Sequence, residues 1–161
     1  MENNRALATN IVISEIKIVD EYITVKYNKL NLAGVREVHS LKTNETAKGS
    51  LYNAWRDVND ILANCYPELN TEENRIFIRK VFLKNRMLVS EKMEIAEFKI
   101  ECEYISSTSD EMKLITEWID LNKDGYRMAY ELPLINLFIE TCDFIKGKRA
   151  QQELFEENND D

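Results

Sequence analysis

The segment from residue 97 to 104 leaves little freedom about how it folds. Phe98, Ile100, Cys102 and Tyr104 alternate with Glu97, Lys99, Glu101 and Glu103. Side chains on a strand point to opposite faces with a period of two, so this segment has one apolar and one charged face. A helix would scatter the same charges through its buried stripe. The pattern predicts a strand in an antiparallel sheet that is covered on one side and wet on the other.

Other stretches carry the same signal. Residues 11–44 read as strands, with Ile16, Ile18, Ile23, Val25 and Tyr27 placed around a turn at Val19-Asp20. Gly34 breaks the pattern, and Val35, Val38 and Leu41 predict a third strand. In residues 75–84, Ile76, Ile78 and Phe82 fall on one side, while Phe77, Val81 and Leu83 fall on the other. Ser106-Ser107-Thr108-Ser109-Asp110 reads as a hairpin loop before a strand from Met112 to Ile119.

Two segments switch to helical spacing. In residues 46–65, Leu51, Trp55, Val58 and Leu62 recur along one stripe that Ile61 and Cys65 widen. Thr43, Asn44 or Thr46 can cap its start, and Pro67 follows its end. From about Leu132 to Lys148, Leu134, Leu137, Phe138, Thr141, Cys142 and Ile145 make a second apolar face. Pro133 suits a first turn there and Gly147 an end. The order predicts an α+β fold, an antiparallel sheet with two main helices packed on one face, compatible with two βββα halves. The expected organisation is a single domain over residues 1–149 and a flexible acidic tail over 150–161.

A chain of 161 residues is long enough to bury a core without metal or disulfide staples. Its net charge of −8 is unevenly placed. Glu153, Glu156, Glu157, Asp160 and Asp161 crowd the tail, and removing those five from the 29 acids leaves 24 against 21 bases. Cys65, Cys102 and Cys142 are far apart and lack any C-x-x-C spacing, which fits a reducing compartment. The start, MENNRALATN, has no apolar signal region, and no stretch approaches the roughly 20 apolar residues of a membrane span. The expected location is the cytoplasm, with no membrane partner.

Catalytic patterns are missing from the sequence. His39 is the single histidine, and no G-x-S-x-G, phosphate-binding glycine loop or H-E-x-x-H occurs. The chain therefore reads as a non-catalytic protein with no cofactor.

Three motifs carry functional content. The first is Gln151-Gln152-Glu153-Leu154-Phe155, just past the last predicted helix. Two adjacent large apolar residues in an acidic tail gain nothing from water unless a partner covers them. This pentapeptide resembles the short peptide by which bacterial polymerases, repair proteins and some phage proteins bind the replicative sliding clamp. The resemblance implies that Gln151 makes polar contacts while Leu154 and Phe155 fill an apolar pocket. Gln152 and Glu153 depart from the usual Leu and Ser or Asp. The wider ending, Phe144-Ile145-Lys146-Gly147-Lys148-Arg149-Ala150-Gln151, resembles the C-terminus of small bacteriophage and prophage proteins. For a phage-encoded chain the expected setting is the host bacterial cytoplasm, with the sliding clamp or another host protein as partner.

The second motif runs from Asp120 to Glu131 and resembles an EF-hand loop. The resemblance implies calcium held by Asp120, Asn122, Asp124, the Tyr126 carbonyl and Glu131. Arg127 replaces the family's aliphatic residue, Pro133 interrupts the exiting helix, and no second loop exists. The favoured reading is a β-hairpin, with Asn122-Lys123-Asp124-Gly125 joining Met112–Ile119 to Tyr126–Tyr130. No metal is favoured.

The third is a basic run, Arg75, Arg79, Lys80, Lys84 and Arg86, interleaved with Phe77 and Phe82. Basic strands with aromatics can guide single-stranded nucleic acid. The favoured reading is a solvated sheet face with its Phe residues in the core, so nucleic acid is not the expected ligand. The competing functions are clamp docking through the tail, inhibition of a host defence factor by the folded body, and calcium binding at 120–131.

Overall fold

A computed structural model describes residues 10–30, 35–67, 75–87, 93–105, 108 and 110–147. The chain runs β1 (Ile11–Val19), β2 (Tyr22–Leu30), β3 (Arg36–Thr43), α1 (Gly49–Cys65), β4 (Arg75–Met87), β5 (Met93–Ile105), β6 (Glu111–Ile115), β7 (Ile119–Asp120) and α2 (Tyr126–Ile145). All strand pairs are antiparallel, in the order β3-β2-β1-β4-β5-β6. The short β7 pairs with β5 beyond the end of β6, continuing the same line. This is the expected α+β fold. Two three-strand meanders meet at β1 and β4 around the Ile16–Val81 pair, and each meander is followed by a helix.

One face of the sheet forms the core. Ile16, Val25, Val81, Phe98, Ile100 and Cys102 from the strands join Leu51, Val58 and Leu62 of α1 and Leu134, Leu137 and Phe138 of α2 in a single buried cluster. The β5 residues are the apolar half of the 97–104 alternation. Ser50 Oγ donates to Glu140 Oε2 at 2.7 Å and ties the two helices together.

A bulge changes the reading of β4. The register shifts between Ile78 and Lys80, so one extra residue reverses the alternation. Ile76 and Ile78 face the core before the bulge, and Val81 and Leu83 face it afterwards. Phe82 therefore leaves the side of Ile76 and Ile78 and joins Phe77, which is 51% exposed, on the open face. Placing these Phe residues in the core is corrected by this geometry.

The strand expected from Met112 to Ile119 is interrupted at Thr116. Its N–H donates to the Ile100 carbonyl at 2.9 Å, and its Oγ1 accepts from the Ile100 N–H at 3.0 Å. The same hydroxyl donates to the Glu117 carbonyl. A side chain thus replaces part of the ladder and kinks the chain between β6 and β7. Thr116→Val would leave the buried Ile100 N–H without its acceptor. The expected loss is about 1–3 kcal/mol in urea unfolding.

The hairpin expected after this strand is not formed. Residues 126–130 are the first turns of α2, and Asp120–Gly125 is the loop that feeds it. The N-G-like turn chemistry is used all the same. Asp124 and Gly125 take φ of 52° and 73°, the left-handed region that Asp tolerates and Gly adopts freely. Tyr126, Tyr130, Leu134 and Phe138 continue one i, i+4 stripe onto the sheet, and that burial decides for helix. Pro133 accordingly lies inside α2 rather than in its first turn. The helical donor that Pro lacks would have served the Ala129 carbonyl, and Ala129 is exposed, where water can replace it. The start of α1 also differs. It begins at Gly49, behind Lys48, with no side-chain cap, and Thr43 instead accepts from the Glu45 N–H.

Burial has a consequence in alkali. It pushes the Cys102 and Cys142 thiols up to about 11 from 9.0, and the Tyr130 hydroxyl up to about 12 from 10.0. Above pH 9 the unfolded chain ionises these groups while the folded chain keeps them neutral. Stability is therefore fully present below pH 9 and falls as pH rises through 11 to 12. Thermal melts from pH 8 to 11 should show a falling Tm, and Cys102→Ala with Cys142→Ala should flatten the slope.

Candidate functional site: the open face of the sheet

The face turned away from the helices is ordered in rows by strand register. One row runs Lys42, Thr24, Lys17, Lys80 and Glu101 across β3, β2, β1, β4 and β5. The next runs Ser40, Lys26, Glu15, Phe82 and Lys99. A third carries Lys84, Glu97 and Asp120. Over β1 to β4 these rows hold Lys17, Lys26, Lys42, Lys80 and Lys84 against the single acid Glu15. The balancing acids lie on β5 and β7.

Glu15 is almost buried within this face. Lys26 Nζ stands 3.2 Å and Lys80 Nζ 3.5 Å from its carboxylate, so one anion serves two cations. Lys84 Nζ reaches Glu97 at 3.8 Å. Lys17, Lys42 and Lys99 have no carboxylate partner among the described residues. Lys17 stands directly opposite Lys80, a like-charge pairing that costs stability in a sheet.

Aromatic rings sit among these cations. The kink at Thr116 brings Trp118 against Phe82, edge to face, at 6.4 Å between centroids. Lys84 Nζ lies 4.1 Å and Lys99 Nζ 4.9 Å from the Trp118 centroid. Over Phe82 stand Lys99 Nζ at 4.7 Å and Lys80 Nζ at 5.8 Å. Lys42 covers the Tyr22 ring at 5.1 Å.

The basic run of β4 is divided by this geometry. Lys80 and Lys84 belong to the face. Arg79 is held by Glu103 at 2.7 Å, and that contact raises its pKa further. Arg86 pairs with Glu94, and Arg75 opens β4 as an exposed residue opposite Ile105. Lys17, Lys26, Lys42, Lys99 and Trp118 are not among the site residues that the sequence suggests. Each comes from a different place in the chain, and only strand order makes them neighbours.

The 120–131 segment is organised around its own arginine. Arg127 donates from Nε and Nη2 to Asn122 Oδ1 at 3.1 and 3.0 Å, and from Nη2 to the Ile95 carbonyl at 3.2 Å. Its Nη1 binds the Glu131 carboxylate and stands 3.6 Å from Glu94 Oε2. Asp120 Oδ1 accepts from the Asn122 N–H at 2.9 Å. The Tyr126 carbonyl lies in the first turn of α2, where helix geometry directs it to the Tyr130 N–H. Asp124 is exposed. Two of the oxygens that the EF-hand resemblance assigns to calcium, Asn122 Oδ1 and the Glu131 carboxylate, are thus bound by a guanidinium. Among the described residues no group of three His, Cys, Asp or Glu is placed to hold a metal ion. Millimolar calcium is expected to leave Tm unchanged, and a rise abolished by Glu131→Ala would contradict this.

Beside Trp118 the end of α1, β7 and the start of α2 enclose a cleft of about 420 Å³. Cys65, Tyr66, Glu97, Glu117, Asp120 and Tyr130 are among its lining residues. Tyr126 stacks on Tyr130 at 5.5 Å, and burial raises the Cys65 thiol while its hydrogen bond with Tyr130 opposes the rise. Trp118 is part of the lining, which is mostly aromatic and acidic, with Lys123 as its one cation among the described residues.

Gln151, Leu154 and Phe155 lie outside the described residues, as does the 150–161 boundary of the tail. No described helix is long and apolar enough to cross a membrane. Compared with protein-family models, curated proteins and solved structures, the chain matches none.

Proposed function

We propose that this chain is a non-catalytic accessory protein of phage or prophage type that docks on the bacterial sliding clamp through Gln151, Leu154 and Phe155. The observation that carries the reading is the Gln151-x-x-Leu154-Phe155 spacing, which begins only a few residues past α2. A peptide so placed can order on a partner while the α+β body remains folded behind it. Purified clamp should bind the full chain. Leu154→Ala with Phe155→Ala should weaken binding by about thirtyfold or more, the effect of removing apolar anchors from a pocket. Equal binding by both proteins, or none by either, overturns the proposal.

A second reading, inhibition of another host protein by the folded body, is favoured by the 420 Å³ cleft. Its carboxylates and rings suit a basic segment of a protein partner. A pull-down with residues 150–161 removed separates the two, because partners retained by the shortened chain belong to the body.

A further inference from the structure

We infer that the open face of the sheet binds single-stranded nucleic acid across β3, β2, β1, β4 and β5, with Phe82 and Trp118 as the base-stacking platform. This does not depend on the tail and goes beyond the clamp reading.

Positive charge on this face is lined up by strand register. Lys42, Lys17 and Lys80 stand in one row, and Lys26 and Lys99 in the next. Strands lie roughly 4.8 Å apart, so the track from β3 to β5 is about 19 Å long. Lys17 and Lys80 face one another although like charges opposite each other destabilise a sheet. Glu15 already serves Lys26 and Lys80, and Lys17, Lys42 and Lys99 have no carboxylate of their own among the described residues. An arrangement that costs folding stability and leaves several cations unmatched is suited to a string of external anions.

Two rings stand among these cations. Trp118 and Phe82 are half-buried on the solvent side of the sheet, outside the core cluster and the residues packed against it. The lysines over their faces hold the position that a base would take, and an ammonium displaced from a ring is still within reach of the adjoining phosphate. Stacking on a protein ring requires an unpaired base, which a duplex does not present. Rings and cations together select a single strand over a duplex, and over an acidic protein without bases.

The net charge of −8 does not oppose this directly, because five of its acids lie in residues 151–161 and others on β5 and β7. Glu97 and Glu101 on β5 confine the positive track to β3, β2, β1 and β4, with Lys99 as its last cation.

The test uses the full chain with Trp55→Phe, so that Trp118 is the remaining tryptophan, and a fluorescein-labelled oligothymidylate of about 16 nucleotides. Anisotropy at low salt should show binding that weakens as salt rises, and Trp118 emission should be quenched. Lys80→Gln with Lys99→Gln should weaken binding about tenfold and flatten the salt dependence, with the far-ultraviolet circular dichroism of the folded chain retained. Trp118→Ala, read by anisotropy, should weaken it about fivefold or more. Absence of binding at low salt overturns the inference. So does binding that neither variant alters, or poly-glutamate or duplex DNA competing as well as the single strand.

Discussion

Arg127→Ala is expected to lower stability by about 3–5 kcal/mol, the cost of breaking a buried ionic network by removing one member. The Arg127 side chain is 12% exposed, and those of Glu94 and Glu131 are 9% exposed. The guanidinium binds Glu131, approaches Glu94, and also satisfies Asn122 Oδ1 and the Ile95 carbonyl. Alanine would take the guanidinium from two desolvated carboxylates, and Glu94 would keep the half-exposed Arg86. Arg127→Lys should restore only part of the loss, since an ammonium cannot reach all these acceptors in one plane. Urea unfolding of the three proteins measures both effects. A loss under about 1 kcal/mol for alanine would mean that solvent screens the network.

Phe98→Ala should be of similar size, about 3–5 kcal/mol, but for a different reason. The ring is fully buried, stands opposite Leu83 in the sheet, and meets Tyr130 of α2 edge to face at 6.1 Å. It therefore links the strand to the helix, and its removal leaves a cavity where both elements converge. Phe98→Leu should cost much less, because it retains most of the volume. Differential calorimetry distinguishes the cases. A Tm for alanine equal to wild type would show that the site collapses without a void.

The contrast between these residues shows what could be read early. Phe98 was legible because its neighbours alternate strictly, and period two has one structural meaning when one set is apolar and the other charged. Arg127 was legible only as a departure from a calcium loop. Its actual partners lie in the 120–125 loop, on β5 and within α2, and nothing local announces Glu94. Similarly, Phe82 was assigned to the core by counting alternate residues. The bulge at Ile78–Lys80 reverses that count, and a bulge leaves no mark in composition.

The 120–130 segment departs from its local turn signal for a related reason. Its turn residues are real, but a left-handed Asp-Gly pair can end a hairpin turn or launch a helix. The choice depended on where Tyr126 and Tyr130 could be buried. Burial against β5 and α1 is a long-range outcome, so local turn chemistry could not decide it.

By itself the sequence determined the α+β class, most strands, the apolar stripes of both helices and the motif of the tail. Those follow from periodicity, which acts over a few neighbouring residues. Only the tertiary structure decided the strand order, the reversal within β4 and the gathering of Lys17, Lys42, Lys80, Lys99, Phe82 and Trp118 on one face. Each depends on register between distant segments, where a shift of one residue turns every side chain to the other side.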